Sequence, residues 1–321
     1  MSASMASITT STSGQSTALS ATGTGTPLFV LMANQTPQFH LGPTVRRDIG
    51  NAADCVGTRC FNGGMSRLDE GFPPPTACVQ WCQHRSYDLH VLDDGVEVDL
   101  DWWNGHLDRA GHDLRLRGRN LDGEIVEYGG ATVQRNDLRI GTDLAVGEHD
   151  SLGLLFLCAA WQGSHRHRRA MRRFPDVMNP HLSRPDENPV AKTLAVLDSC
   201  VRNRAVPDHP NSTWSGWPDA PGVGMSLMAT FLWAVNASVY GGPAQLIDQY
   251  GVSTLIHEGW LEDPSVTGFT RRRYDRYVEL ITAWTTDIGT SPELVEMWLV
   301  QRWSARLNEA RHGRYTAPTL F

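Results

Sequence analysis

The pattern of hydrophobic and polar positions changes near residue 150. Before it, short segments alternate apolar and polar side chains between clusters of Gly, Pro, Asp and Asn, which is typical of strands and turns. After it, apolar residues recur at helical spacing. The pattern predicts strands at 89–92, 96–100, 114–117 and 124–130, and helices at 152–161, 190–201, 225–236, 249–257, 271–288 and 292–311.

This change of pattern predicts an α+β protein in three segments. Residues 1–26 contain 14 Ser and Thr and no charged side chain. Such a segment buries too little apolar surface to offset the entropy of ordering its backbone, so we expect a disordered tail. Residues 27–149 are predicted to form a β-rich N-terminal domain, and residues 150–321 a mostly helical domain.

Composition narrows the class of protein. The chain is 40% hydrophobic with 11 Trp, enough for a substantial core. No apolar run approaches the roughly 18 to 20 residues that cross a membrane, so we expect no membrane association. The start lacks the basic residues and apolar stretch of a secretory signal. We therefore expect a cytoplasmic protein, in which disulfides rarely persist.

Charge is unevenly distributed. Residues 1–150 carry 11 Arg against 19 Asp and Glu, whereas residues 151–321 carry 17 Lys and Arg against 16 Asp and Glu. The second half can therefore bind a polyanion through local basic patches despite the net charge of −7. Only one of the 28 basic residues is a lysine, Lys192. Any chemistry through a Schiff base thus has a single candidate.

The most informative segment is Pro221-Gly222-Val223-Gly224, which precedes the apolar run 225–233. A Gly-x-Gly turn at the start of a helix can direct backbone N–H groups at an anion such as a DNA phosphate. The alternative is an ordinary loop, because Pro-Gly before a helix is common. Farther on, Asp248 follows the apolar pair Leu246-Ile247 at the start of the next predicted helix.

This arrangement resembles the helix-hairpin-helix DNA glycosylases, which share Pro-Gly-Val-Gly, an apolar helix, a short loop and an aspartate at the next helix start. The resemblance implies that Asp248 is catalytic and that Gly222, Val223, Gly224 and Ser226 bind DNA. The alternative for Asp248 is a helix N-cap without catalytic function. Residues 151–174 and 274–299 also resemble bacterial proteins with the 8-oxoguanine glycosylase fold, so the likeness covers roughly residues 150–310.

The sequence departs from that family twice. Bifunctional members have a lysine two residues after the second hairpin glycine, where this chain has Ser226. Residues 204–219 also form an insert rich in Pro and Trp before the hairpin. The first departure predicts a monofunctional enzyme, because Lys192 lies in a different predicted helix and belongs to no motif that would place it there.

A basic run and several tryptophans are further candidates for DNA contact. The basic run consists of His165, Arg166, His167, Arg168 and Arg169, followed by Arg172 and Arg173. We predict that this run contacts phosphates. The alternative is a solvated surface segment. Arg271-Arg272-Arg273 is a smaller candidate of the same kind. Trp161, Trp214 and Trp217 are predicted to wedge into the duplex or stack on a base, the alternative being core positions.

Four cysteines suggest a metal site. Cys55, Cys60, Cys78 and Cys82 form Cys-x4-Cys and Cys-x3-Cys pairs, wider than the usual zinc spacing of two residues. The alternatives are a structural zinc and buried free thiols. Cys158 and Cys200 lie on apolar helical faces and are predicted core residues.

The sequence therefore predicts a monofunctional DNA glycosylase that needs no cofactor for catalysis. It rotates a modified base out of double-stranded DNA and hydrolyses the N-glycosidic bond. Resemblance favours bulky glucosylated hydroxymethylcytosine in phage DNA, and so anti-phage defence. The alternatives are an 8-oxoguanine repair glycosylase and a non-catalytic DNA-binding protein. Motifs of serine hydrolases, zinc proteases and P-loop proteins are absent from the sequence. The sequence does not identify a protein partner, and a further alternative is that the β-rich first half binds a protein partner or zinc.

Overall fold

The computed structural model describes residues 72–144, 150–168, 174–178, 188–207, 213, 215–240, 242–260 and 269–313. The predicted N-terminal tail lies outside these residues. All of the described residues belong to one compact unit, Phe61–Phe321. No helix among them is long and apolar enough to span a membrane.

The first part of this unit combines helices with a small antiparallel sheet. Helix α1 (Thr76–Gln83) is followed by a π-helical turn at Asp88–Leu92, strand β1 (Gly95–Asp99) and helix α2 (Leu100–Arg109). Strands β2 (Gly118–Arg119), β3 (Ile125–Val126) and β4 (Gly130–Gln134) complete a sheet of order β1-β4-β2-β3. A 3₁₀ turn, Arg135–Leu138, follows β4.

The sheet presents one apolar face, as alternating strands should. In β1 the buried residues are Val96 and Val98, and they pair with Val133 and Ala131 of β4. This face packs on helix α3 (Ser151–Ser164). Sheet and helices therefore share a hydrophobic core, and residue 150 marks a change in secondary structure inside one unit.

The second part is helical. Helices α4 (Pro189–Asn203), α5 (Met225–Ala234), α6 (Gln249–His257), α7 (Arg271–Ile288) and α8 (Pro292–Arg311) follow α3. Between α5 and α6, strands β5 (Ser238–Val239) and β6 (Gly242–Pro243) form a short hairpin. The α+β class predicted from the sequence is confirmed. The β-rich character of residues 27–149 stays a prediction, because residues 27–71 and 145–149 lie outside the described residues.

Helix α3 lies at the centre because its sequence is apolar on every side. Every residue from Ser151 to Gln162 is buried, and α3 packs against α4, α5 and β1. Asp150 begins the helix by accepting a hydrogen bond from the amide of Gly153 at 2.7 Å. Its central position brings the residues that follow it, 165–168, beside α6 and α8.

Several predicted elements differ from those observed. The predicted strand at 89–92 is wrong, because these residues lie in the π-helical turn. Residues 114–117 precede strand β2 and form no strand. The segment 124–130 divides between β3 and β4. The sequence pattern also missed helices α1 and α2. The six predicted helices of the second half match α3 to α8 within a few residues.

Candidate active site

The hairpin before α5 requires glycine at its first position. Gly222 has φ +80°, a left-handed conformation that other residues rarely adopt. A Cβ atom at Gly222 would lie 2.6 Å from the carbonyl oxygen of Asp176. The segment around Asp176 therefore packs directly against the hairpin. Gly224 differs, since its φ is −75° and a Cβ there would have nothing within 4 Å.

The hairpin presents the N-terminus of α5 to solvent. Gly222 and Gly224 are exposed, and Gly224 is the N-cap residue of α5. Because glycine has no side chain, it leaves the amides of the first turn uncapped, including that of Ser226. Val223 is half-buried, and its amide donates to the carbonyl oxygen of Ala220 at 3.1 Å. This geometry suits an anion at the helix N-terminus.

Helix α4 packs against the hairpin and binds its backbone. The Thr193 hydroxyl donates to the carbonyl oxygen of Pro221 at 3.0 Å. Next to it, the Lys192 Nζ lies 2.6 Å from Asp219 Oδ2. The only lysine of the sequence thus lies near the hairpin, in an ion pair with a residue just before it. The sequence did not reveal this proximity, because the two residues are distant along the chain.

Asp248 is the N-cap residue of α6, the position at a helix start where the sequence placed it. Its Oδ1 accepts a hydrogen bond from the amide of Gly251 at 2.9 Å. The side chain is enclosed, and the residue is only 1% exposed. A carboxylate in such a place has lost most of its contact with water, so its charge depends on the groups around it.

Two arginines and a glutamate accompany Asp248. Arg168 Nη1 lies 2.6 Å from Glu296 Oε1, and Arg168 Nη2 lies 2.9 Å from Glu296 Oε2. The same Nη1 lies 3.5 Å from Asp248 Oδ2. Arg135 Nη1 reaches Glu296 Oε2 at 3.0 Å. All four side chains are buried, and their formal charges balance.

These neighbours set the protonation of Asp248. Burial raises the pKa of Asp248 above its usual value, Arg168 and the Gly251 amide oppose this rise, and Glu296 adds to it. Burial disfavours the charged form of Arg168, but Glu296 nevertheless raises the pKa of that guanidinium. Arg168 therefore remains a cation, and Asp248 titrates closer to neutral pH than an exposed aspartate does.

The basic run after α3 divides between surface and interior. Arg166 and His167 are exposed. His165 Nε2 lies 3.0 Å from Asp94 Oδ1, and the His167 amide donates to His165 Nδ1 at 3.2 Å, so Nε2 carries the proton. The guanidinium of Arg168 is buried in ion pairs with Glu296 and Asp248, and its contact with a phosphate stays a prediction. Arg169, Arg172 and Arg173 lie outside the described residues.

The smaller arginine cluster lies at the start of α7. Arg272 is exposed, whereas Arg271 Nε lies 2.9 Å from Asp275 Oδ1 on the next turn. The amide of Arg271 donates to the carbonyl oxygen of Ser215 at 2.8 Å, which connects α7 to the insert before the hairpin. Arg272 is thus the member of this cluster best placed for a phosphate.

The tryptophans named as wedges lie in the core where they are described. Trp161 is fully buried, and its indole N–H donates to the carbonyl oxygen of Asp94 at 3.0 Å. Trp217 is 7% exposed, and its N–H donates to the carbonyl oxygen of Phe269 at 2.9 Å. A wedge must reach the duplex, and both side chains are buried here, so the wedge role of Trp161 and Trp217 stays a prediction. Trp214 lies outside the described residues.

The described cysteines are buried thiols. Cys78 and Cys82 face the core from α1, and their mutual hydrogen bond, together with burial, raises the pKa of the Cys78 thiol. Cys55 and Cys60 lie outside the described residues, so the predicted zinc site stays a prediction. Within the described part of the chain, no group of three His, Cys, Asp or Glu side chains is arranged for a metal. Cys158 and Cys200 are core residues, as predicted.

Sequence reasoning missed Glu296 and Arg135 as neighbours of Asp248. Glu296 lies within 294–300, a stretch of α8 in which every other residue is apolar. A single carboxylate in a buried apolar helix face needs a partner, and this signal could have identified it. Nothing in the sequence indicated that the partner would come from residues 135 and 168.

Comparison with known families identifies the family of the chain. A sequence model of the family described as "Putative 8-oxoguanine DNA glycosylase OGG-like protein" matches residues 89–300, about two thirds of the chain. The chain belongs to this family. Membership indicates a DNA glycosylase with DNA as its substrate. Neither a curated protein nor a solved structure matches the chain.

Proposed function

We propose that this protein is a monofunctional DNA glycosylase that rotates a modified base out of the duplex and hydrolyses its N-glycosidic bond, leaving an abasic site. The observation that carries the proposal is the enclosed carboxylate of Asp248 at the start of α6, in a chain of the OGG-like family. Bond cleavage develops positive charge on the sugar. A carboxylate beside the sugar stabilises that charge and orients or deprotonates the attacking water.

Two features support hydrolysis without an imine intermediate. Ser226 provides a hydroxyl where bifunctional relatives have an amine. The amine of Lys192, the only lysine of the sequence, lies 2.6 Å from Asp219 Oδ2 in an ion pair. Water is then the nucleophile that remains, and the product is an abasic site in an intact strand.

The hairpin and the exposed basic residues supply the grip on DNA in this proposal. The uncapped amides at Gly224 and Ser226, with Gly222 and Val223 shaping the turn, bind a phosphate. Arg166 and His167 bind the neighbouring backbone. Because Asp248 is 1% exposed in the free protein, the rotated nucleotide reaches it only when surrounding residues move.

For the substrate, we favour bulky glucosylated hydroxymethylcytosine in phage DNA, and therefore a role in anti-phage defence. The support comes from two departures from repair enzymes, namely Ser226 and the insert at 204–219. Oxidised guanine is the second candidate base, because the family description names 8-oxoguanine.

The test compares three duplexes that differ at one base: unmodified cytosine, 8-oxoguanine and glucosylated hydroxymethylcytosine. Mass spectrometry measures the base released under single-turnover conditions. We expect release from the glucosylated duplex. Release from the 8-oxoguanine duplex alone supports the repair function, and no release from any of the three contradicts a glycosylase acting on these bases.

A non-catalytic DNA-binding protein is the other candidate function. It is favoured by one observation: Asp248 already has a structural role as the cap of α6 and is enclosed. In that case the protein binds DNA with the affinity of the hairpin and releases no base from any modified duplex. Substitution of Asp248 by Asn separates the two functions, because only a glycosylase then loses base release.

A further inference from the structure

Glu296 connects three parts of the fold through buried charges. It lies on α8 and is 1% exposed. Its carboxylate binds the guanidinium of Arg168, which follows α3, and that of Arg135, which follows β4. No other position of α8 between residues 294 and 300 carries a charge. A buried carboxylate without partners is strongly unfavourable, so the two arginines account for its presence there.

Arg168 lies closer to the carboxylate of Glu296 than to that of Asp248. It contacts both oxygens of Glu296, at 2.6 and 2.9 Å, whereas its closest atom to Asp248 is 3.5 Å away. Two parallel N–H···O bonds fix the plane of a guanidinium more firmly than one long contact does. Glu296 therefore determines where Arg168 lies, and Asp248 receives only a weak contact.

Other groups around Asp248 do not supply a competing charge. On α7, the hydroxyls of Tyr274 and Tyr277 donate to the carbonyl oxygens of Gln245 and Leu246, and burial raises both pKa values. Asp94 and Arg135 lie one step farther away, in contact with His165 and Glu296 respectively. Arg168 and Glu296 are thus the charged side chains that govern Asp248 among the described residues.

We infer that Glu296 and Arg168 are positioning residues for Asp248: Glu296 binds Arg168 through both oxygens and prevents it from forming a tight ion pair with Asp248. The catalytic consequence rests on the proposed function. A carboxylate with no cation nearby takes up a proton when buried, and one in a tight ion pair is less available to a positive sugar. The distance of 3.5 Å between Arg168 Nη1 and Asp248 Oδ2 is intermediate between a tight ion pair and no cation nearby.

Two substitutions should displace the pKa of Asp248 in opposite directions. Glu296→Gln removes a negative charge and frees Arg168 to approach Asp248, which lowers the pKa of Asp248. Arg168→Gln removes the cation in contact with Asp248 and raises the pKa of Asp248, while Arg135 still pairs with Glu296. A purely structural ion network predicts a loss of stability in both variants and no matching displacement of the pH dependence of base excision.

The experiment measures the titration of Asp248 directly. Carbon-13 NMR of carboxyl-labelled aspartate follows the full-length protein from pH 4 to 9, and Asp248→Asn assigns the signal. We expect a shift of about one pH unit downward in Glu296→Gln and upward in Arg168→Gln. Shifts in the same direction, or no shift in either variant, would overturn the inference.

Matched variants keep the test decisive. Glu293→Gln is the control, because Glu293 is also buried on α8 but pairs with Trp233 and Arg139 instead. We expect it to leave the Asp248 titration unchanged. If a single variant does not fold, the double variant Glu296→Gln/Arg168→Gln removes both charges together, and its titration should fall between those expected for the two single changes.

Excision measurements separate this inference from the proposed function. With an active wild-type enzyme, the low-pH limb of single-turnover base excision should move down in Glu296→Gln and up in Arg168→Gln. If the wild type releases no base, the proposed function fails, and the NMR titration still decides whether Glu296 and Arg168 control Asp248. An active enzyme whose limb does not move contradicts the inference alone.

Discussion

The hairpin and the Asp248 site lie at the two ends of the segment 222–248, and they differ in how they stabilise a charge. The hairpin suits a negative phosphate, whereas Asp248 suits a positive charge. At the hairpin, backbone amides face solvent, and glycine takes the place of a capping side chain. At Asp248, ionised side chains are enclosed and balance one another. Exposed amides suit a hydrated phosphate that is charged before it binds. An enclosed carboxylate suits the positive charge that develops on the sugar only during the reaction.

Substitutions in the hairpin and at Asp248 should therefore have separable effects. A change at Asp248 should affect the chemical step and leave the affinity for DNA intact. A change at the hairpin should affect affinity first. A non-catalytic protein would show only the second kind of effect.

Asp248→Asn should give the largest effect. Asparagine is an equally good N-cap, as Asn188 shows at the start of α4, so the hydrogen bond to Gly251 can persist. The carboxylate charge is lost, and we expect base excision to fall about 10²- to 10³-fold. Single-turnover kinetics with a binding titration measures both quantities. Unchanged excision would show that Asp248 is a cap without catalytic function.

Gly222→Ala should weaken DNA binding next most strongly. Alanine at φ +80° is strained, and its Cβ would collide with the Asp176 carbonyl, so we expect about 1 to 3 kcal/mol of local strain and roughly tenfold weaker binding. Gly224→Ala is the matched control, because its φ is −75° and the Cβ position is open. Equal affinities in the two variants would contradict the role of the hairpin.

Arg166→Ala should have a smaller effect of electrostatic origin. Arg166 is exposed, whereas Arg168 two residues later is buried, so of these two arginines Arg166 is the one available to a phosphate. We expect about three- to tenfold weaker binding at low salt and a salt dependence of log K reduced by about one unit of slope. A fluorescence anisotropy titration at several salt concentrations measures this. An unchanged salt slope argues that this segment does not contact the backbone.

Lys192→Arg should have the smallest effect. Arginine preserves the partly exposed pair with Asp219, which contributes at most about 1 kcal/mol. Since no imine forms in this account, excision should change less than about threefold, and borohydride should trap no covalent complex with DNA. Trapping by the wild type that Lys192→Arg abolishes would establish an imine mechanism instead.

Long helices with a clear apolar period could be predicted from the sequence. Helices α3 to α8 match because their patterns extend over nine to 20 residues. The turn at Asp88–Leu92 could not, because a run as short as Leu89-His90-Val91-Leu92 fits a strand equally well. Helix α2 was missed because it begins directly after β1 and contains Asn104 and Gly105, which are poor helix formers.

The site could be predicted only in part. The local sequence placed Asp248 at a helix start and Gly222 in a turn, because both depend on a few neighbouring residues. The burial of Arg168 depends on Glu296, 128 residues farther along. Within five consecutive basic or titratable residues, no local pattern distinguishes the one that turns inward. Likewise, the pairing of Lys192 with Asp219 requires the packing of α4 beneath the hairpin.

The most direct test of the central claim is the product formed from a duplex with one glucosylated hydroxymethylcytosine. After complete single-turnover reaction with the wild type, half of the sample is treated with alkali and both halves are resolved on a denaturing gel. The account predicts an intact strand without alkali and a strand cut at the modified position with it. Cutting without alkali would contradict a monofunctional enzyme, and an intact strand in both halves would contradict glycosylase activity on this base.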